Sequence, residues 1–152
     1  YKGIFTFNMQ WDWVYGNNLY NQTKQWMYRD GIHSDYDQPI TINGETQAYT
    51  AFYRSIYAGG AANGTKNYFY EDASFWRLRN LSFGVDIAKL TKIKFTNRLQ
   101  LVVSGRNLLT FTPYTGMDPE VNYATNSAFD RGLDHNTIPN TKAYTVGLNI
   151  GF

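Results

Sequence analysis

Phe5-Thr6-Phe7-Asn8-Met9-Gln10-Trp11-Asp12-Trp13-Val14-Tyr15 alternates large apolar and polar side chains at almost every step. Phe5, Phe7, Met9, Trp11, Trp13 and Tyr15 share one side of an extended chain, and Thr6, Asn8, Gln10 and Asp12 share the other. Period two sustained this far predicts a long strand with one apolar face, because a helix would scatter the same rings around its circumference.

Three more segments read the same way. Between about 69 and 88, Leu81, Phe83, Val85 and Ile87 alternate with Asn80, Ser82, Gly84 and Asp86. Trp76 and Leu78 precede them in the opposite phase, so the pattern slips near Arg79-Asn80. Either a β-bulge inserts one residue there, or Arg77 and Arg79 sit above the apolar zone and no slip is needed. From 98 to 111, Leu99, Leu101, Val103, Gly105, Leu109 and Phe111 line one face; Asn107 interrupts it, and Val102 and Leu108 interrupt the polar face. From 143 to 152, Tyr144, Val146, Leu148, Ile150 and Phe152 alternate with small or polar residues. The first strand is expected over about 3–15. The connections run long, short, long: 16–68, then a basic turn around 89–96, then 112–142. That is the rhythm of an up-and-down membrane barrel with large external loops and tight periplasmic turns.

The composition agrees. Of 152 residues, 18% are aromatic and only 17% charged, with 14 basic and 12 acidic groups giving +2. So few charges exclude an electrostatic nucleic-acid binder, and the ring content argues against disorder. There is no cysteine, hence no disulfide scaffold and no thiolate metal site. Mean hydropathy is −0.48, and no stretch approaches the ~18 apolar residues of a membrane helix.

Strands read as about 10–14 residues against a usual ~5–6. About 11 residues rising ~3.3 Å each and tilted ~40° cover roughly 28 Å, which matches the hydrocarbon slab. The polar faces carry groups that need water: Asn8, Gln10, Asp12, Asp86, Gln100, Arg106 and Asn149. A wet lumen on one side and lipid on the other satisfies both faces. The odd-numbered faces of the first three strands and the even face of the last would then meet lipid. Four strands cannot close a barrel and would leave two apolar edges open, so further strands are expected before residue 1. The rival reading is a soluble β-sandwich that binds carbohydrate through aromatic rings.

The final residues resemble the terminal signal by which bacterial outer-membrane barrels are recognised by their assembly machinery. That signal is Thr145, Gly147, Ile150 and a closing ring, Phe152. Further stretches bring a family resemblance. Phe75-Trp76-Arg77-Leu78-Arg79-Asn80-Leu81-Ser82-Phe83-Gly84 resembles the "SFLRLKNLSLGY" segment of SusC/RagA-type TonB-dependent transporters of Bacteroidetes. Ser104-Gly105-Arg106-Asn107-Leu108-Leu109-Thr110-Phe111-Thr112 is similar to their "SGQNLLTFT", and Tyr114-Thr115-Gly116-Met117-Asp118-Pro119-Glu120-Val121 to "YTGYDPEV". Tyr15-Gly16-Asn17-Asn18-Leu19-Tyr20-Asn21 echoes "YGNDIYN" more weakly. Val85 and Arg106 stand where the family usually has Tyr and Gln. The resemblance implies an all-β fold: the last four antiparallel strands of a transmembrane barrel of about 22 strands. It places the chain in the bacterial outer membrane, with a plug domain and TonB-contacting segment upstream. It further implies a SusD-like lipoprotein lid and import of a glycan or peptide.

The remaining signals are bland. Gly59 to Lys66 mimics a phosphate loop but has Thr65 before Lys66, the reverse of the required order. His33 with Asp35 and Asp37, and His135 beside Asp134, read as solvated loop groups. No catalytic constellation, metal site or cofactor is expected, and hence no enzyme. Loop rings, chiefly Tyr49, Tyr53, Tyr57 and Tyr114, are candidates for gripping the lid or the substrate, with residues 24–68 expected to serve the lid more.

Overall fold

The computed structural model describes residues 3–48, 66–92, 95–123 and 131–151. In chain order the strands are β1 (Phe5–Val14), β2 (Asn18–Asn21), β3 (Pro39–Ile42), β4 (Glu45–Ala48), β5 (Tyr70–Asp72), β6 (Phe75–Asp86), β7 (Arg98–Phe111), β8 (Leu133–Asp134) and β9 (Ala143–Gly151). Helix α1 spans Gln22–Asp30 and α2 spans Ile87–Thr91. The chain forms two compact units. One comprises Tyr1–Tyr15, Phe75–Thr112 and Asn140–Phe152, the other Gly16–Ser74 and Pro113–Pro139.

The first unit is a sheet in the order β1-β6-β7-β9, antiparallel throughout. Its register aligns like with like. Phe5, Val85, Leu101 and Leu148 form one row, and Phe7, Phe83, Val103 and Val146 the next on the same face. Between them, on the opposite face, Thr6, Gly84, Val102 and Gly147 line up, followed by Asn8, Ser82, Ser104 and Thr145. Cross-strand pairs are the unit of sheet stabilisation. Rings meet here accordingly, with Phe5 6.1 Å from Phe83 and Trp11 5.7 Å from Trp76. No second sheet covers the apolar rows among the described residues: Phe7 is 62% exposed, Val146 71% and Trp13 79%. A β-sandwich would bury this face.

The phase slip is a bulge at Arg79. Gln10 pairs with Asn80 but Trp11 with Leu78, which leaves Arg79 as the extra residue. On its other flank Leu78 pairs with Leu109 and Asn80 with Arg106, so Arg79 stands against Asn107 and Leu108. The insertion keeps Leu78 and Trp76 on the face of Trp11 and Trp13. It also accounts for two of the three anomalies of the third strand, Asn107 and Leu108. Asn107 takes a positive φ of 51°, which turns Leu108 over Gly105: a methyl group at Gly105 would lie 2.7 Å from a Leu108 Cδ atom. Leu108 thus covers the apolar side of Gly105, whose missing side chain makes room for it.

The stretch 69–88, expected as one strand, is divided. Residues Lys66–Phe69 form a 3₁₀ turn, and β5 belongs to another sheet. The break falls at Ala73-Ser74, where the Ser74 amide donates to Asp72 Oδ1 at 2.8 Å and the Ser74 hydroxyl accepts from the Gly16 amide at 2.9 Å. At the far end the Asp86 side chain accepts from the Lys89 amide at 3.3 Å and starts α2, so β6 stops there.

The second unit holds structure within connections read as long loops. In it β2 pairs antiparallel with β5 and parallel with β8. The β3–β4 hairpin turns on Asn43-Gly44, with φ of 52° and 84°, the left-handed pair that two-residue hairpins require. The Asn21 side chain caps α1 by accepting the Lys24 amide at 2.8 Å, and the helix closes at Gly31. Leu19, Ala73, Tyr114 and Val121 form one buried apolar cluster.

Gly105→Val should cost about 1–3 kcal/mol by overpacking against Leu108. Adding Leu108→Ala should recover most of that loss. Urea-unfolding midpoints of the intact protein in detergent read both effects.

Candidate functional site

Two arrangements of polar groups stand out, one in each unit. The register brings Asn8, Gln10, Asp12, Asp86, Gln100, Arg106 and Asn149 onto a single face of the sheet. Gln10, Asn80 and Arg106 share one row; Asp86, Gln100 and Asn149 share another. The bulge adds a charged contact: Arg79 Nε donates to Asp12 Oδ2 at 2.7 Å. Asn8 Nδ2 donates to Ser82 Oγ at 3.3 Å, and Arg98 donates to Gln100 at 2.6 Å. Asp86 is nearly buried and is occupied in capping α2. Of the terminal-signal residues, Thr145 and Gly147 lie on this polar face opposite Ser104 and Val102, and Ile150 lies on the apolar face opposite Leu99. All three are on β9, an edge strand. Phe152 lies outside the described residues.

In the second unit a carboxylate gathers four chain segments. Glu71, on β5, accepts Lys24 Nζ at 2.9 Å, the Thr115 amide at 2.9 Å, the Thr115 hydroxyl at 2.7 Å and the Asn21 side-chain amide at 3.5 Å. Burial pushes its carboxyl up, but the Lys24 hydrogen bond and charge and the two Thr115 donors outweigh this and hold it below the usual value. Asp134 plays the same part on β8, accepting Thr23 Oγ1 at 3.1 Å and Tyr114 OH at 2.6 Å. The Asn136 amide in turn donates to Thr23 Oγ1 at 2.8 Å. A third cluster centres on the fully buried Tyr28, whose hydroxyl donates to Asp35 and lies 3.0 Å from that of Tyr68. Burial, then the Asp35 hydrogen bond, raises the Tyr28 phenol well above its ordinary range.

Among the expected loop contacts, Tyr114 is corrected. It is 5% exposed, its hydroxyl is spent on Asp134, and burial raises its phenol before the carboxylate adds to the effect. It is a packing residue in this fold. Tyr49, Tyr53 and Tyr57 lie outside the described residues. His33 Nδ1 accepts the Asp35 amide at 3.2 Å and caps a 3₁₀ turn, while His135 stacks on Tyr123 at 4.6 Å and meets Trp26 edge-on at 4.4 Å. Sequence reading missed Glu71, Lys24, Thr115 and Tyr28. The signal for the helix that carries two of them was there: Asn21 as N-cap and Gly31 as its close.

Comparison with known proteins points to one class, the TonB-dependent receptors. The chain is 44% identical over 93 residues to TonB-dependent receptor P3 of Formosa agariphila, covering 58% of this chain. It is 29% identical over 158 residues to TonB-dependent receptor P39 of the same organism, covering all of it. It spans only 9% and 15% of those relatives' lengths. No protein-family model matches. In fold it is similar to the RagAB peptide transporter, with a TM-score of 0.64 at 20% identity over 97% of this chain and 16% of that one. RagAB in its closed-closed state gives 0.63 at 19% identity over 98% of this chain and 16% of that one. The resemblance to TonB-dependent receptors therefore holds in sequence, and the fold is similar to that of the RagAB transporter.

Glu71 also yields a pH dependence. Because its folded carboxyl lies below the unfolded value, the stabilisation it gives is complete above about pH 5 and is lost as pH falls through the folded value. Glu71→Gln removes a hydrogen-bonded charge and should loosen the second unit by roughly 2 kcal/mol. Hydrogen-exchange protection of residues 22–30 should drop in the variant at pH 6. It should also fall less on acidification to pH 3.5 in the variant than in the natural protein.

Proposed function

We propose that this chain supplies barrel wall and external loops to a TonB-dependent importer of the bacterial outer membrane. The observation that carries the reading is the row-by-row register, which gives one continuous, exposed apolar face and one polar face across four strands. Lipid solvates the first, and a water-filled lumen solvates the second. The named relatives and the RagAB fold support the same reading. On it, Asn8, Gln10, Asp12, Arg106 and Asn149 line the lumen, and the Asp12–Arg79 pair satisfies charges that would otherwise be stranded in the wall.

The barrel has about 22 strands, and both edges of this sheet, β1 and β9, pair with strands beyond it. Thr145, Gly147, Ile150 and Phe152 engage the assembly machinery as β9 pairs along its open edge. A plug displaced through TonB opens the lumen, and a SusD-like lipoprotein covers the external loops. The cargo is a glycan or a peptide. The RagAB neighbours are a peptide importer seen in closed-closed and open-open states, which supports a peptide cargo.

Val103 and Leu148 sit mid-strand on the apolar face. Val103→Arg and Leu148→Arg should each cost about 2–4 kcal/mol at the bilayer midplane and reduce the protein recovered in outer-membrane fractions. Ser104→Arg, one position away on the polar face, should assemble normally. Normal assembly of the first two would contradict the orientation.

A further inference from the structure

The second unit contains a half-open cavity of about 700 Å³ beside α1 and the segment 115–117, closed on another side by residues 134–139. Its size is that of a small-molecule site. Its charged wall groups are already committed. Lys24 is held by Glu71 and Thr115, Asp134 by Thr23 and Tyr114, and Asp35 by Tyr28. The rest of the wall is mostly apolar, formed by Met27, Met117, Ile138 and Pro139 beside the His33 ring and the Asn136 amide. Met117 and Ile138 stand 79% and 86% exposed at the opening. The Thr137 hydroxyl in the same wall is buried and, among the described residues, without a hydrogen-bond partner.

We infer that this cavity is a subsite for an apolar amino-acid side chain of a peptide. The inference deepens the import reading and rests on it. A sugar entering here would give up water from several hydroxyls against a mostly apolar wall, and desolvated hydroxyls without partners are penalised. Among the described residues no Phe, Tyr or Trp lines the cavity, and the one aromatic ring that does, the His33 imidazole, is packed 4.4 Å from the Tyr28 ring. An aliphatic side chain loses nothing polar and gains contact with two thioethers. Methionine adapts to different shapes and is characteristic of surfaces that accept varied partners. Selection is therefore for apolar character, with tolerance among Leu, Met and Ile.

The test uses the full-length receptor in lipid nanodiscs, which avoids detergent filling the cavity. Titration calorimetry is run with the tetrapeptides Ala-Gly-X-Gly, where X is Leu, Met or Gly, and with maltotetraose. The Leu and Met peptides should bind at least tenfold more tightly than the Gly peptide. Met117→Glu and Ile138→Glu change exposed residues, so folding is spared; each should weaken the Leu peptide at least fivefold and leave the Gly peptide unchanged. Equal affinity for Leu and Gly peptides, tighter binding of maltotetraose, no binding of any peptide, or indifference of both variants would each overturn the inference. Binding is read without transport or membrane orientation. A barrel lacking this subsite therefore fails here while passing the arginine test of the wall, and a chain that is no barrel fails that test.

Discussion

Phase is the constraint on which the sheet depends. A two-faced sheet exists only if apolar positions on every strand fall in the same rows, because shifting a strand by one residue sends its whole apolar set to the other side. Here the rows run unbroken from β1 to β9, yet β6 carries its apolar residues in two phases. One inserted residue, Arg79, reconciles them. Its extra backbone step lets Leu78 and Trp76 rejoin the face of Trp11 and Trp13, and its guanidinium reaches Asp12. The facing strand answers with a left-handed Asn107 and a Leu108 folded over Gly105. Bulge, charge pair and glycine are thus parts of one adjustment.

The second unit solves a different problem. Short strands and a nine-residue helix enclose a buried cluster of Leu19, Ala73, Tyr114 and Val121, with Tyr28 and Phe69 buried as well. Carboxylates with several donors tie these pieces together. Glu71 gathers α1, β5 and the segment after Pro113, while Asp134 links β8 to Thr23 and Tyr114. Such networks fix geometry as well as adding stability. They leave the neighbouring cavity wall apolar, because the charges that might have faced a ligand are turned towards each other.

The sequence made the wall legible and the loops much less so. Alternation in β1, β7 and β9 is a local property, visible without knowing any partner strand. The bulge was visible only as an ambiguity at Arg79-Asn80, since choosing between slip and no slip needs the register of both neighbours. The faces of Asn8, Gln10, Asp12, Arg106 and Asn149 followed from counting by twos. The braces did not: Lys24 lies 47 residues from Glu71 and 91 from Thr115, and nothing periodic connects them. Tyr114 was misjudged for the same reason, because an aromatic ring in a loop looks available until Asp134 is seen to claim its hydroxyl. The Asn43-Gly44 hairpin and the Asn21 cap are local signals, legible in the sequence without any distant partner.

The account stands or falls on what each face of the wall touches. Single nitroxide labels at successive positions 144 to 150 along β9, in the full-length protein in proteoliposomes, measure this directly through their accessibility to oxygen and to a water-soluble nickel chelate. Even positions should favour oxygen and odd positions the chelate, alternating along the strand. Equal accessibility at neighbouring positions, or chelate access at 146 and 148, would contradict a wall with lipid on one side and water on the other.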